Sequence, residues 1–405
     1  MNYKILVLTI MALVFVYELL LHYLSGKSAG RPIPDNVSDV YDAKEYQTWL
    51  RYYAERNRLS LWKHLVSSAA GFLLIGLNVY AFIHGVFGVE SPYGSACIIV
   101  LAECLISQLW ELPFSYAADM GVEQRYGFNR MTKGVFVSDA VKNLIIGCGL
   151  SCGLVCCMIA LHRSLGGYFV LAFVAVGLAF TLVLTFLSPL LTRIFNKLTP
   201  LEEGELRTKL MQLLQSNDCQ VRNIYVMDGS KRSTKANAFF SGFGKTKTIA
   251  LYDTLIQQLT PDEIVAVFAH EMGHNKHKDT LKLTAISMAN FLTMGLLLWV
   301  LLSVPEVYSF FGFTGMNYGF AYVLLGVCLG ALNPLLQLLQ NVLSRKFEYA
   351  ADGYAADRGY RQALCSGLKK LEKNSFGNLN PHPVLVKLYY SHPTTSQRIE
   401  KLFEK

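Results

Sequence analysis

The sequence predicts a mainly α, polytopic membrane protein with about seven transmembrane helices and a small α+β part on the cytoplasmic side. Three observations predict it. Of the 405 residues, 52% are hydrophobic and 16% are charged, and the mean hydropathy of +0.32 lies beyond the range of a soluble domain. Apolar runs of the roughly 20 residues that a helix needs to cross a bilayer recur along the chain. The connections between them alternate between basic and charge-poor.

The runs lie at about 5–24, 65–87, 94–115, 143–162, 167–190, 283–304 and 318–343. Lys4 gives the first one the look of a secretory signal. The run is longer than a signal's apolar core, however, and Lys27-Ser28-Ala29-Gly30 offers no small-x-small cleavage site, so it reads as a retained anchor. Lys27, Arg31, Lys44, Arg51, Arg56, Arg58 and Lys63 follow the first run, and Arg125, Arg130, Lys133 and Lys142 follow the third. The segment after the fifth and the C-terminal tail are also basic. The connections after the second and sixth have no Lys or Arg, and the one after the fourth has only Arg163. The positive-inside rule therefore places the basic segments in the cytoplasm and the N-terminus outside. This asymmetry accounts for the net charge of +8, and no nucleic-acid partner is expected. Asn36-Val37-Ser38 matches a glycosylation acceptor but falls on the cytoplasmic side, where it stays unmodified.

Nine cysteines make an odd count, and seven of them (97, 104, 148, 152, 156, 157 and 328) fall inside apolar runs, so no disulfide framework is expected. Cys148, Cys152 and Cys156 share a helix face. Gly147, Gly149 and Gly153 between them predict close helix packing rather than metal binding.

The chain divides into residues 1–190 with five spans, 191–282 and 344–405 outside the bilayer, and 283–343 with two more spans. The two outer blocks can pack into one domain. Residues 201–216 have helical apolar spacing, 221–227 read as a strand, and 238–252 as a hairpin around a turn at 242–247. A helix then starts with Thr260 as N-cap, Pro261 at the first position and Glu263 completing a capping box.

That helix carries His270-Glu271-Met272-Gly273-His274. Residues four apart share a helix face, so both imidazoles can reach one Zn²⁺ while Glu271 stands beside its open position. The arrangement implies peptide-bond hydrolysis with Glu271 carrying the proton. A catalytic zinc takes a third protein ligand, and the downstream candidates are Glu348, Asp352, Asp357, His382 and His392. Glu348 and Asp352 lie four apart just beyond the last span; one can bind metal while the other orients an imidazole. Asp279 can orient an imidazole in the same way. His277 lies too close along the helix to complete a tetrahedron.

At this point the chain resembles the type I CaaX prenyl protease family, integral-membrane zinc proteases that trim prenylated C-termini. The resemblance runs through Pro113-Phe-Ser-Tyr116; Glu123 to Thr132 with Asp139 and Lys142; Asn237 to Gly244; the H-E-x-x-H; Glu348-Tyr-Ala-Ala-Asp352; and Ser391-His-Pro393 with Arg398. It implies Glu348 as third zinc ligand, and Asn237, His392 and Arg398 as groups that contact the substrate backbone or stabilise the oxyanion. It also implies pairing of the substrate with the hairpin edge at Ala238, Phe239 and Phe240. The spans would enclose a water-filled chamber. Glu18, His84, Glu103 and Glu111 would line it, or else make helix–helix hydrogen bonds or snorkel to the ends.

The expected cofactor is one Zn²⁺ per chain, and the expected partners are the bilayer and a peptide or protein substrate, with or without a prenyl group. Asn275-Lys-His-Lys-Asp279 and the C-terminal Lys401 to Lys405 depart from the eukaryotic pattern and favour a bacterial plasma membrane over the endoplasmic reticulum. A quality-control zinc protease shares the chemistry but has fewer spans. A site-2-type protease carries its motif within a span. A transporter or receptor with structural zinc needs four ligands, usually with Cys, and leaves Glu271 without a purpose.

Overall fold

The computed structural model describes residues 2–216, 223–241 and 248–404. The membrane half comprises α1 (Tyr3–Ser28), α2 (Ala43–Gly76), α3 (Val79–Phe87), α4 (Pro92–Tyr116), α5 (Lys133–Leu165) and α6 (Phe169–Phe195). There follow β1 (Leu198–Pro200), α7 (Glu205–Gln215), β2 (Asn223–Met227), β3 (Ala238–Ser241), β4 (Thr248–Tyr252), α8 (Asp253–Gln258) and α9 (Pro261–Lys276). The chain returns to the membrane with α10 (Asp279–Ser303), α11 (Glu306–Ser309) and α12 (Tyr318–Ala355), and closes with α13 (Arg361–Asn374), α14 (Pro383–Tyr389) and α15 (Thr395–Phe403). The chain is a mostly helical polytopic membrane protein.

Among the described residues, six stretches are long and apolar enough to cross a bilayer. One of them, Lys133–Leu184, runs through both α5 and α6, which part at Gly166, so it covers the expected fourth and fifth spans. The run at 65–87 is not one continuous helix. Asn78 adopts a left-handed conformation (φ 57°), which Asn tolerates better than most side chains, and separates α2 from α3. Leu13, Leu73, Phe82, Leu109, Ile145, Leu171 and Leu335 are all more than half exposed, as a lipid-facing belt requires.

The polar groups inside the spans are mostly taken up by neighbouring helices. Tyr80 donates its hydroxyl to Glu103, Lys63 lies 2.6 Å from Glu111, and His84 packs 5.8 Å from the Phe313 ring. Glu18 lines a cavity of about 450 Å³ between α1, α2 and residues 376–390. Cys156 lies 3.6 Å from Cys97 across the α4–α5 contact. The interleaved glycines do not cause that approach, because a Cβ on Gly147, Gly149 or Gly153 would meet no atom within 4 Å.

The sheet has the order β1-β2-β4-β3, with β2 and β4 parallel and the other pairs antiparallel. The strand expected at 221–227 is observed over 223–227; residues 221–222 and the hairpin turn at 242–247 lie outside the described residues. One apolar core joins Val37, Val40 and Trp49 to Leu210, Ile249, Leu255, Phe268, Met272, Leu364 and Ile399. Segments that the positive-inside rule assigns to one side of the membrane thus share one core. Asn36 is held there too, donating to the Ser396 carbonyl at 2.9 Å.

Candidate metal centre

The centre is built on α9. Its start is fixed by the capping box: the Thr260 N–H donates to Glu263 Oε2 at 2.8 Å, and the Glu263 N–H to Thr260 Oγ1 at 3.4 Å. Lys370 and Ser366 of α13 hold the same Glu263 carboxylate at 2.7 and 2.6 Å. From that fixed start, His270 and His274 fall on one face, with their Nε2 atoms 3.2 Å apart.

Helix α12 brings up the carboxylate. Glu348 Oε1 lies 3.2 Å from His274 Nε2, and Oε2 lies 3.5 Å from His270 Nε2. The helices can approach this closely because residue 273 is glycine: a Cβ there would stand 2.8 Å from the Ala351 Cα. The last span and the segment bearing Glu348 form one continuous 38-residue helix, so the carboxylate is carried rigidly out of the membrane half.

The other ring nitrogens are tied back. His270 Nδ1 donates to Asp352 at 2.8 Å and His274 Nδ1 to Asp279 at 3.0 Å, which leaves both Nε2 lone pairs directed at the shared point. Asp279 reaches His274 from the first turn of a new helix rather than from the end of α9. Lys278 is left-handed (φ 56°) and breaks the chain there, so α9 does not run on into the sixth span. Lys282 secures the second Asp279 oxygen at 3.0 Å. Arg398 of α15 grips Asp352 with Nε and Nη2 at 2.8 and 2.6 Å, and its Nη1 stands 3.6 Å from Glu348 Oε2.

Two imidazoles and a carboxylate form a donor set suited to zinc. Their ligand atoms all lie within 4.8 Å of one another. Glu348 Oε2 is buried with no hydrogen-bond partner among the described residues. Two nitrogen lone pairs 3.2 Å apart repel unless a proton or a cation lies between them. In the metal-free chain, burial opposes protonation of His274. The carboxylates of Glu348 and Asp279 outweigh it and push the imidazole up to about 9.

His392 joins the cluster, with Nδ1 2.8 Å from Glu348 Oε1 and a ring that is 64% exposed. Glu271 is half-buried on α9 beside the ligands. Asn237 is exposed, and its side-chain carbonyl accepts the Ala238 N–H at 2.9 Å, so the structure does not bring it into the ligand cluster. Ala238, Phe239 and Phe240 pair with Leu251, Ala250 and Ile249. Among the described residues β3 is an edge strand, with one side of its backbone unpaired. His277 packs its ring 6.2 Å from Tyr354, and the His382 side chain caps α14. Gly273 escaped the sequence reading, although a glycine inside a metal-binding helix signals a close helix contact.

Residues 200–405 match the family model described as Peptidase family M48, and residues 22–197 match the CAAX prenyl protease N-terminal region with five membrane helices. The chain belongs to peptidase family M48. It is a membrane zinc metalloprotease. It is 34% identical to the CAAX prenyl protease 1 homolog of Oryza sativa over 73% of this chain and 70% of that one. It is 31% identical to CAAX prenyl protease 1 of Saccharomyces cerevisiae, over 76% and 72% respectively. The human CAAX prenyl protease 1 homolog is 27% identical over 91% and 88%. The crystal structure of S. mikatae Ste24p superposes with a TM-score of 0.93 at 25% identity, covering 99% of each chain. These relatives are eukaryotic and give no support to the expectation of a bacterial membrane.

Proposed function

We propose that this M48 protease cleaves peptide bonds near the C-terminus of prenylated CaaX-type or other membrane-associated substrates, at the cytoplasmic face. In this reading His270, His274 and Glu348 hold one zinc, and Asp352 and Asp279 orient the two imidazoles. The observation that carries it is the convergence on one point of two Nε2 atoms and a buried carboxylate oxygen that makes no hydrogen bond among the described residues, with both Nδ1 atoms anchored. The four-part division into 1–190, 191–282, 283–343 and 344–405 belongs to the same reading.

Bound zinc supplies a Lewis acid and lowers the pKa of a coordinated water to near 7. Glu271 accepts a proton from the attacking water and passes it to the leaving amine. His392, exposed and held at Nδ1 by Glu348, and Asn237 hold the substrate carbonyl and backbone. Arg398, with Nε and Nη2 engaged by Asp352, contributes its charge through Nη1 beside Glu348. The edge of β3 at Ala238, Phe239 and Phe240, unpaired among the described residues, adds the substrate as a further strand, so main-chain hydrogen bonds bind it whatever its side chains. CaaX substrates come to this chain from its relatives, whose names include CAAX prenyl protease 1. The cytoplasmic placement draws on the basic connections, whose segments meet in one core.

The test is cleavage of matched farnesylated and unmodified peptides, with products mapped by mass spectrometry. Preferential cleavage of the farnesylated peptide near its C-terminus is expected. Equal or faster cleavage of the unmodified peptide at many bonds overturns CaaX specificity in favour of general membrane proteolysis.

A further inference from the structure

We infer that Glu123 is a positioning residue for the protease: its half-buried carboxylate clamps Lys235 to the membrane half and so helps to set the placement of β3. The inference rests on the reading of β3 as the strand that receives substrate.

Glu123 ends a π-helical turn, Ala117–Glu123, that continues α4. Its side chain is 14% exposed and serves two halves of the molecule at once. From the membrane half, the Tyr52 hydroxyl donates to Oε1 at 2.7 Å and Arg56 Nη1 lies 3.3 Å away. From the protease half, Lys235 Nζ lies 3.0 Å from Oε2. The Glu123 carbonyl also accepts the N–H groups of Phe128 and Asn129 at 2.8 and 3.2 Å, which folds the following residues into a turn.

That turn grips the chain leading into β3. The Arg130 N–H donates to the Arg232 carbonyl, and the Thr234 N–H to the Phe128 carbonyl, both at 3.0 Å. Asn129 and Ser233 form an antiparallel bridge between them. Lys235 stands 5.0 Å over the Phe128 ring, and its carbonyl accepts the Thr254 hydroxyl at 3.1 Å. Only Ala236 and Asn237 separate Lys235 from the first residue of β3. The lead into β3 is therefore tied to the membrane half through the backbone bonds of this turn, with the Glu123 carboxylate as the side-chain anchor nearest the strand.

The cationic partners of Glu123 remain in water, Arg56 at 55% and Lys235 at 35% side-chain exposure, so these pairs add little to stability and leave no buried charge behind when one member is removed. The core that folds the protease half lies elsewhere, around Leu251, Ile264 and Phe268. Removing the charge should therefore loosen the lead into β3 without unfolding the domain. A bound strand sits in a register, and a slip by one residue reverses every side chain. A loosened edge thus binds substrate more weakly and cuts it less uniformly.

The test compares full-length Glu123→Gln, Lys235→Met and Lys235→Arg with wild type for zinc content, KM, kcat and cleavage position on one peptide. Glu123→Gln and Lys235→Met should each raise KM by about fivefold or more and change kcat by less than about twofold. Zinc content should stay at the wild-type level and a second cleavage position should appear. Lys235→Arg, which keeps the charge, should behave as wild type. Wild-type KM and a single cleavage position in both charge-removing variants overturn the inference. So does loss of folded yield in Glu123→Gln with unchanged KM in Lys235→Met, which makes Glu123 a stability residue only. A wild-type protein that cleaves no peptide fails the proteolytic reading itself, and the positioning role with it.

Discussion

Gly273 lies directly against Ala351, and the α9–α12 contact leaves no room for a methyl group between them: a Cβ at 273 would stand 2.8 Å from the Ala351 Cα. Both residues sit one position from metal-site groups, His274 on one helix and Asp352 on the other. The contact therefore sets how far Glu348 reaches toward the imidazoles. Gly273→Ala should force the helices apart, at an overpacking cost of about 1–3 kcal/mol. The variant should release zinc to a competing chelator more readily than wild type and melt at a lower temperature. Wild-type zinc retention would show that the Glu348 position does not depend on this contact.

Asp352 binds two partners at once, His270 and Arg398. Asp352→Asn keeps an acceptor for the imidazole but removes the charge that fixes both. The loss of such a supporting carboxylate commonly weakens metal binding by about 10- to 100-fold. Competition against a chelator of known affinity measures it. An unchanged zinc affinity would leave Asp352 without the orienting role.

Zinc binding should release a proton from His274. The metal-free imidazole titrates near 9, raised from 6.5 against the opposing effect of burial by its hydrogen bonds to Glu348 and Asp279. Because the folded-state value is raised, the charged form stabilises the metal-free fold fully below about pH 6.5. That contribution is lost as pH rises through about 9. Zinc takes only the neutral ring, so His274 should add about tenfold to apparent affinity per pH unit between about 7 and 9. Zinc titrations in buffers of different ionisation enthalpy count the proton. A pH-independent affinity over that interval would contradict the arrangement.

The readable parts of the site were those encoded by local spacing. His270 and His274 lie four apart on a helix whose capping box is visible in Thr260 and Glu263, and both features follow from helix geometry alone. Glu348 was accessible as one of several downstream candidates, and its choice needed the family pattern. The Arg398 grip on Asp352 spans 46 residues of chain and leaves no periodic trace. Asp279 was legible as a nearby acid, but not the left-handed Lys278 that turns it back toward His274. Hydropathy located the spans and missed the break at Asn78, because apolarity is blind to backbone handedness. It also could not say that Glu103 is met by Tyr80 and Glu111 by Lys63, since those pairings depend on helix rotation and tilt.

The most direct measurement on the central claim is peptide cleavage by Glu271→Gln with its zinc content determined on the same sample. Glutamine keeps the size of the side chain and cannot accept the proton, so cleavage should fall by about 10²–10⁴-fold while zinc stays bound. Cleavage at the wild-type rate by a fully zinc-loaded Glu271→Gln protein would contradict the mechanism.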